Sequence, residues 1–210
     1  MRTTTTLRLW LVVGTALLIA VLLAGVAVAQ TTSTSFRMVR SSNAVAADCL
    51  QGARGTVNIT PLGPVESMNV RLFNLPPNRE FDLFVIQVPD FPFGLSWYQG
   101  DLQTDENGNA QQRFLGRFSI ETFTVAPGSA PAPVVHADPP FPDAATNPQF
   151  APVHQFHLGL WFNSANAARE AGCTGEELVR TPFNGVHKAG VQALSTRQFN
   201  DRNGPLRRVQ

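Results

Sequence analysis

The four histidines are the side chains of this sequence with the widest chemical range. A neutral imidazole ring binds zinc or copper, and it can also act as a general base. His154 and His157 stand three positions apart, and the remaining two are His136 and His187. Side chains with that spacing meet on a helix but point to opposite faces of a strand. Because VHQFHLGLWF alternates like a strand, His154 and His157 are not expected to chelate one ion.

The segment HQFHLG is similar to the HxFHxH strand of copper-zinc superoxide dismutases, which are secreted β-sandwiches that bind copper. Gly159 stands where that pattern has its last histidine, so the resemblance implies an incomplete set of ligands. We therefore expect no cofactor. The first alternative is an extracellular copper- or zinc-binding protein that uses His136, His154, His157 or His187.

A second group of polar residues surrounds the glycine of LQTDENGNAQQRF, a composition shared by calcium-binding loops and tight turns. An EF-type calcium loop has glycine at its sixth position and glutamate at its twelfth. Counted from Asp105, those positions hold Ala110 and Gly116. The sequence therefore predicts a turn rather than a calcium site.

The same stretch fits a hairpin with a three-residue loop in which Gly108 takes the left-handed conformation. Asp105 then pairs with Asn109, and Asp101 lies opposite Arg113 on the exposed face of the hairpin. This register predicts that the acidic residues here belong to the surface of a half-exposed hairpin.

Patterns for catalysis are sparse in this sequence. The segment GLSWY has Tyr98 where a nucleophile elbow needs glycine, and the zinc-protease motif HExxH is absent. Glu66, Asp82 and Glu121 are scattered along the chain, and their positions do not tell whether two carboxylates meet as an acid and base pair. We expect a protein without intrinsic catalysis, and an extracellular hydrolase is the second alternative.

Aromatic side chains concentrate in PDFPFGLSWYQ, which holds Phe91, Phe93, Trp97 and Tyr98 beside prolines. The hairpin register places Trp97 on the more polar face of its strand. Exposed rings next to glutamine and aspartate suit a sugar or peptide partner, and Trp97 is the leading candidate for a contact. The alternative is that these rings cover a sheet edge or pack beneath a proline-rich segment.

Short apolar runs separated by turn signals indicate an all-β fold. We predict an antiparallel β-sandwich in which EFDLFVIQV, apolar on both faces, is a central strand and GVQALST and PLRRV are closing strands. One short helix should be capped by Ser164 and end at Gly172.

Residues 126–152 hold eight of the chain's 16 prolines, which predicts a long irregular excursion. Residues 48–210 are expected to form a single domain after a flexible lead-in, residues 30–47.

Export is predicted by the two cysteines and by the N-terminal leader. Cys49 and Cys173 are the two cysteines, and they suit one bridge formed in an oxidising compartment. Residues 1–29 read as a signal helix with an uncharged core and a final Ala-Val-Ala; an uncleaved membrane anchor is the alternative. Without the leader the net charge changes from +1 to about −1, which argues against nucleic acid as a partner.

Two long stretches, LFNLPPNREFDLFVIQVPDFPFGLSWYQGDLQTDENGNAQQRFLGRFSIETFTVAPG and FHLGLWFNSANAAREAGC, resemble uncharacterised secreted bacterial proteins with β-sandwich domains. The shared features are LPPN before a strand, TDxxG in a hairpin and the late AGC. The resemblance implies export and the fold class, and it implies no substrate. We expect a secreted or cell-surface, envelope-associated binding module whose partner is a cell-wall glycan or a surface protein.

Overall fold

A computed structural model describes residues 32–124, 153–174 and 191–210. The leader, the proline-rich excursion at 126–152, His136 and His187 lie outside these described residues. Within the three ranges, no helix combines the length and apolar character needed to cross a bilayer.

The described residues form ten strands, two short helices and one 3-10 turn, so the all-β class is confirmed. The strands are β1 (Thr34–Arg40), β2 (Arg54–Pro61), β3 (Glu66–Phe73), β4 (Glu80–Ile86), β5 (Ser96–Gln103), β6 (Ala110–Gly116), β7 (Phe123–Thr124), β8 (Val153–His154), β9 (His157–Phe162) and β10 (Gln192–Ser195). The helices are α1 (Ser42–Ala46) and α2 (Ala165–Glu170), and the 3-10 turn is Pro205–Arg208.

Eight of these strands form an antiparallel sheet in the order β5-β4-β9-β10-β1-β2-β3-β6. The strand β1 joins two halves of this sheet, because Phe36 pairs with Val57 of β2 while Val39 pairs with Ser195 of β10. Hydrogen bonds therefore run continuously from one half to the other. Strands β7 and β8 form a separate two-stranded ribbon.

The first strand lies inside the segment that the sequence analysis assigned to a flexible lead-in. In TSFRMVR, Phe36 and Met38 point inward and are buried, while Ser35 and Arg37 point outward and are exposed. The prediction missed this alternation because the two apolar residues stand among polar and charged ones. Ordered structure at residues 34–46 corrects the proposed boundary at residue 48.

The main core lies on the inward face of both halves of the sheet. In β4, Phe81, Leu83 and Val85 contribute to this core, while Phe84 and Ile86 pack with Trp161 in a smaller cluster on the other face. The strand β4 is thus buried on both faces, as its sequence predicts, and it lies between β5 and β9.

The turn between β5 and β6 is confirmed, but the predicted pairing of these two strands is wrong. Gly108 has φ +74°, and the Asp105 N–H donates to the Asn109 carbonyl over 2.7 Å. Beyond the turn, β5 pairs with β4 and β6 pairs with β3. Asp101 therefore lies opposite Asp82 rather than opposite Arg113, because the turn links the two edges of the sheet.

A bulge in β5 reverses the predicted faces of the aromatic residues. Gly100 pairs with Leu83 and Tyr98 pairs with Phe84, so Gln99 is the extra residue. The Phe114 ring lies 2.7 Å from where a Cβ on Gly100 would be, which only glycine allows at this φ of +148°. Trp97 consequently lies on the core side of β5, where it pairs with Val85.

A disulfide joins Cys49, after α1, to Cys173, after α2, as predicted. The Ser164 hydroxyl accepts from the Ala167 N–H, and Gly172 follows the helix with φ +76°, so both predicted ends of α2 are confirmed. The segment PLRR is a 3-10 turn instead of a strand. Its proline supplies no N–H for a ladder, and it occupies the first position of the turn.

Candidate functional site

The four aromatic residues singled out from the sequence lie on two sides of the sheet. Phe91 packs edge-on against Phe93, and Phe93 packs edge-on against Trp161 of the smaller cluster. Tyr98 lies on that same side, edge-on to Phe84. The Trp97 side chain lies on the opposite side of the sheet, where it is half-buried against the main core.

Trp97 lines a groove with a volume of about 940 Å³, which we call the Trp97 groove. Strand β5, the segment after β6 and the β7–β8 ribbon bring its walls together. The lining surface is largely apolar, and charged, amide and hydroxyl side chains contribute the rest. The lining residues are Trp97, Gln99, Arg117, Ile120, Glu121, Thr122, Phe123, Thr124 and His154.

The β7–β8 ribbon supplies aromatic side chains to the Trp97 groove. Phe123 pairs with His154 in register, and their rings meet edge-on with centroids 6.2 Å apart. The His154 Nδ1–H donates to the Thr122 carbonyl over 3.1 Å, and the imidazole stacks on Phe156. These contacts hold the imidazole in place, while half of the Phe123 side chain, 52%, stays exposed.

An ion pair and an amide form the polar rim of the Trp97 groove. The Arg117 guanidinium donates to the Pro64 carbonyl over 2.7 Å and pairs with the exposed carboxylate of Glu121. On the other wall, the Trp97 indole N–H donates to the Gln99 side chain over 3.2 Å. The rim therefore presents donors and acceptors whose positions are fixed by contacts within the protein.

Sequence reasoning identified Trp97 but missed its partners in the groove. Residues 117–124 follow β6, and His154 is distant along the chain, so only the fold brings them to Trp97. The one local signal was the spacing of Arg117 and Glu121, which are four residues apart and opposite in charge.

A second polar cluster lies on the outer face of β4 and β5. The carboxyl groups of Glu80, Asp82 and Asp101 offer oxygen atoms within 4.8 Å of one another, and these residues could hold a metal ion. Asp82 is fully buried. Its burial, followed by its hydrogen bond to Asp101, raises the pKa of the Asp82 carboxyl from 3.8 to about 7.

Asp101 makes hydrogen bonds on two sides of this cluster. The Tyr98 hydroxyl donates to it over 2.5 Å, and burial together with this bond raises the pKa of Tyr98. The hydrogen bond with the Asp82 carboxyl lies on the other side. The cluster lines none of the grooves described for this protein, and its carboxyls are occupied by each other and by Tyr98.

The two histidines in the described ranges do not converge on one point. His157 is buried, with Nδ1 3.0 Å from the Thr196 hydroxyl and Nε2 donating to the Asp201 carbonyl over 3.1 Å. Burial lowers the pKa of His157. At Gly159, where the superoxide dismutase pattern has a histidine, an added Cβ would lie 2.3 Å from the Trp161 ring.

A comparison with models of known protein families found no match, and a comparison with curated proteins also found none. The site is therefore interpreted from its own chemistry.

Proposed function

We propose that this protein is a non-catalytic extracellular binding module that holds a neutral glycan in the Trp97 groove. The observation that carries this proposal is the pairing of aromatic walls with a polar rim in one groove of about 940 Å³. The disulfide agrees with an oxidising extracellular compartment. Export through a cleaved leader at residues 1–29 remains a prediction of the sequence.

The chemistry of the Trp97 groove suits a sugar ring better than a fully apolar ligand. The C–H faces of a pyranose ring pack on aromatic side chains, here Trp97 and Phe123. Ring hydroxyls both donate and accept, so they can pair with the Gln99 amide and with Arg117 and Glu121. A concave, largely apolar site with a few fixed polar groups is typical of small-ligand binding.

The sharpest test uses Phe123 rather than Trp97, because Trp97 packs against the main core and its loss would also destabilise the fold. We expect Phe123→Ala to weaken binding to neutral cell-wall oligosaccharides by about tenfold or more, with little change in melting temperature. The matched control is Phe91→Ala, since Phe91 is 69% exposed and lies outside the groove. Binding is measured by calorimetry with a ligand first selected on a glycan array.

A complementary variant tests the polar rim. Glu121→Gln removes a charge from an exposed side chain but keeps an oxygen acceptor. We expect a loss of affinity about threefold to tenfold and an unchanged melting temperature. The proposal is wrong if no neutral glycan binds, or if Phe91→Ala lowers affinity while Phe123→Ala does not. The second outcome would assign binding to Phe91, Phe93 and Tyr98 instead.

The two alternative functions draw less support from the described residues. For a copper or zinc protein, His157 already uses both ring nitrogens in contacts with protein groups. For a hydrolase, Asp82 and Asp101 do meet, but Asp82 is sealed from solvent and outside the Trp97 groove. Stoichiometric copper or zinc after metal-free purification would favour the metalloprotein over the glycan-binding module.

A further inference from the structure

The outward face of β1, β2, β3 and β6 carries a group of exposed basic residues that the proposed function does not use. The alternation of these strands sends four arginine side chains outward from the core. We call this surface the arginine face, and its basic residues are Arg37, Arg54, Arg71 and Arg113.

No acidic residue balances these charges on the outward positions of the four strands. Glu66, in β3, points inward, is buried, and accepts from the Phe118 N–H over 2.7 Å. In the described ranges, the ion pairs are those of Arg79 with Glu170 and of Arg117 with Glu66 and Glu121. The arginine face therefore has no ion pair in the described ranges, and the acidic residue that shares a groove with it is Asp105, which lines a groove of about 350 Å³ together with Arg71.

The arginines are spaced across the sheet rather than gathered at one point. Arg37 and Arg71 are both in register with Thr56, so one strand separates them and their backbones lie about 10 Å apart. Arg113 pairs with Asn69, which makes it a diagonal neighbour of Arg71 at about 7 to 8 Å. A groove of about 550 Å³ follows this face between Arg37 and Arg71. This spacing suits a linear polymer with repeated negative charges better than one small anion.

Hydroxyl and amide groups continue this outward face beyond Arg37 and Arg71 along β1 and β2. The Ser33 and Thr60 hydroxyls are 2.8 Å apart, and the Asn58 amide donates to the Ser35 hydroxyl over 2.8 Å. Such groups can exchange hydrogen bonds with the hydroxyls of a sugar chain. These hydroxyl and amide groups favour a charged polysaccharide over a charged polymer that has no hydroxyl groups.

Two other polyanionic partners fit this face less well. Single-stranded nucleic acid needs open aromatic rings for base stacking, whereas the Phe73 ring is covered by the Arg54 guanidinium at 5.1 Å. An anionic membrane needs apolar side chains that enter the lipid, and Leu115 is the one large exposed apolar side chain on the outward positions described.

We propose that the arginine face binds an acidic polysaccharide, which lies across β1, β2, β3 and β6 with its carboxylate or sulfate groups on Arg37, Arg71 and Arg113. Arginine pairs with such groups through two parallel hydrogen bonds, and a repeating polymer can use several arginines at once. This site is separate from the Trp97 groove and does not depend on it.

The test compares carboxymethyl dextran with unmodified dextran, which has the same sugar backbone without the charges. We expect the charged polymer to bind more tightly than unmodified dextran, whose affinity should not depend on Arg37 or Arg71. The double variant Arg37→Gln/Arg71→Gln should weaken that binding by about tenfold or more and make it less sensitive to salt. The matched control, Arg202→Gln/Arg207→Gln, removes the same charge from exposed arginines elsewhere and should leave affinity within about twofold.

Three results would overturn the proposal. One is the absence of binding to carboxymethyl dextran at moderate salt, and another is an equal loss of affinity in the two double variants. The third is equal or tighter binding of single-stranded DNA or of vesicles that contain anionic lipid, which would assign the face to a different partner. Phe123→Ala should not change this binding, so failure of the groove proposal and failure of this one are distinguishable.

Discussion

Asp82 is a carboxyl-bearing residue that is fully buried in the described part of the protein. It is buried on β4, hydrogen-bonded to Asp101 and close to Glu80. These contacts raise the pKa of Asp82 to about 7, so the folded protein holds this proton more tightly than the unfolded chain does. The contribution of Asp82 to stability is thus complete below about pH 4 and is lost as the pH rises through about 7.

The variant Asp82→Asn tests whether Asp82 takes up this proton on folding. An asparagine amide can donate to Asp101 at every pH, so the variant should be more stable than the parent at pH 8, by about 1 to 3 kcal/mol. Its stability should also fall less between pH 4 and pH 7. Urea denaturation at several pH values measures both effects, and Glu106→Gln, on an exposed turn, is the control. A pH dependence identical to that of the parent would contradict the raised pKa of Asp82.

At the level of the strand, β1 decides where the folded domain begins. Met38 is fully buried in β1, so Met38→Ala should lower the free energy of unfolding by about 2 to 5 kcal/mol. Val45 of α1 is 42% exposed, so Val45→Ala should change the free energy of unfolding by no more than about 0.5 kcal/mol. Chemical denaturation of both variants provides the comparison. Two equally small effects would mean that residues 34–40 are dispensable, as expected of a flexible lead-in.

Elements with local causes could be predicted from the sequence, whereas long-range pairings could not. Gly108 in its turn and Ser164 at its helix depend on residues a few positions away, and both were predicted correctly. The partners of β5 and β6 depend on the whole sheet, and the extra residue Gln99 turns Trp97 to the core side. The Trp97 groove was beyond sequence reasoning for the same reason, since distant segments build it.

On the scale of the whole molecule, the disulfide closes a loop that spans more than half of the 210-residue chain. Cys49 and Cys173 are 124 positions apart, and a loop of that length contributes about 4 to 5 kcal/mol in the chain-entropy account. We expect Cys49→Ser/Cys173→Ser to lower the free energy of unfolding by a comparable amount, measured by urea denaturation. The unreduced, unfolded parent should show no reactive thiol. Two reactive thiols per chain in that assay would show that the bridge is not formed.

The near-zero net charge of the chain conceals an uneven distribution. Within the part of the chain that the structure describes, the arginine face makes no ion pair, while Glu80, Asp82 and Asp101 gather on the outer face of β4 and β5. Net charge alone therefore does not describe which polymers the surface attracts, because binding depends on local clustering. Affinity of the parent for carboxymethyl dextran should accordingly fall with added salt even though the protein as a whole is almost neutral.

Because β1 pairs with β10, the sheet cannot be completed until the C-terminal part of the chain is present. β10 lies between β9 and β1, and it is made last of all the strands in the described ranges. Without residues 192–195, the backbone N–H and C=O groups on one edge of β1 and of β9 lack partners. Such an edge can pair with a strand from another chain. A premature stop codon shortly before Gln192 would therefore yield aggregating fragments rather than a smaller working protein.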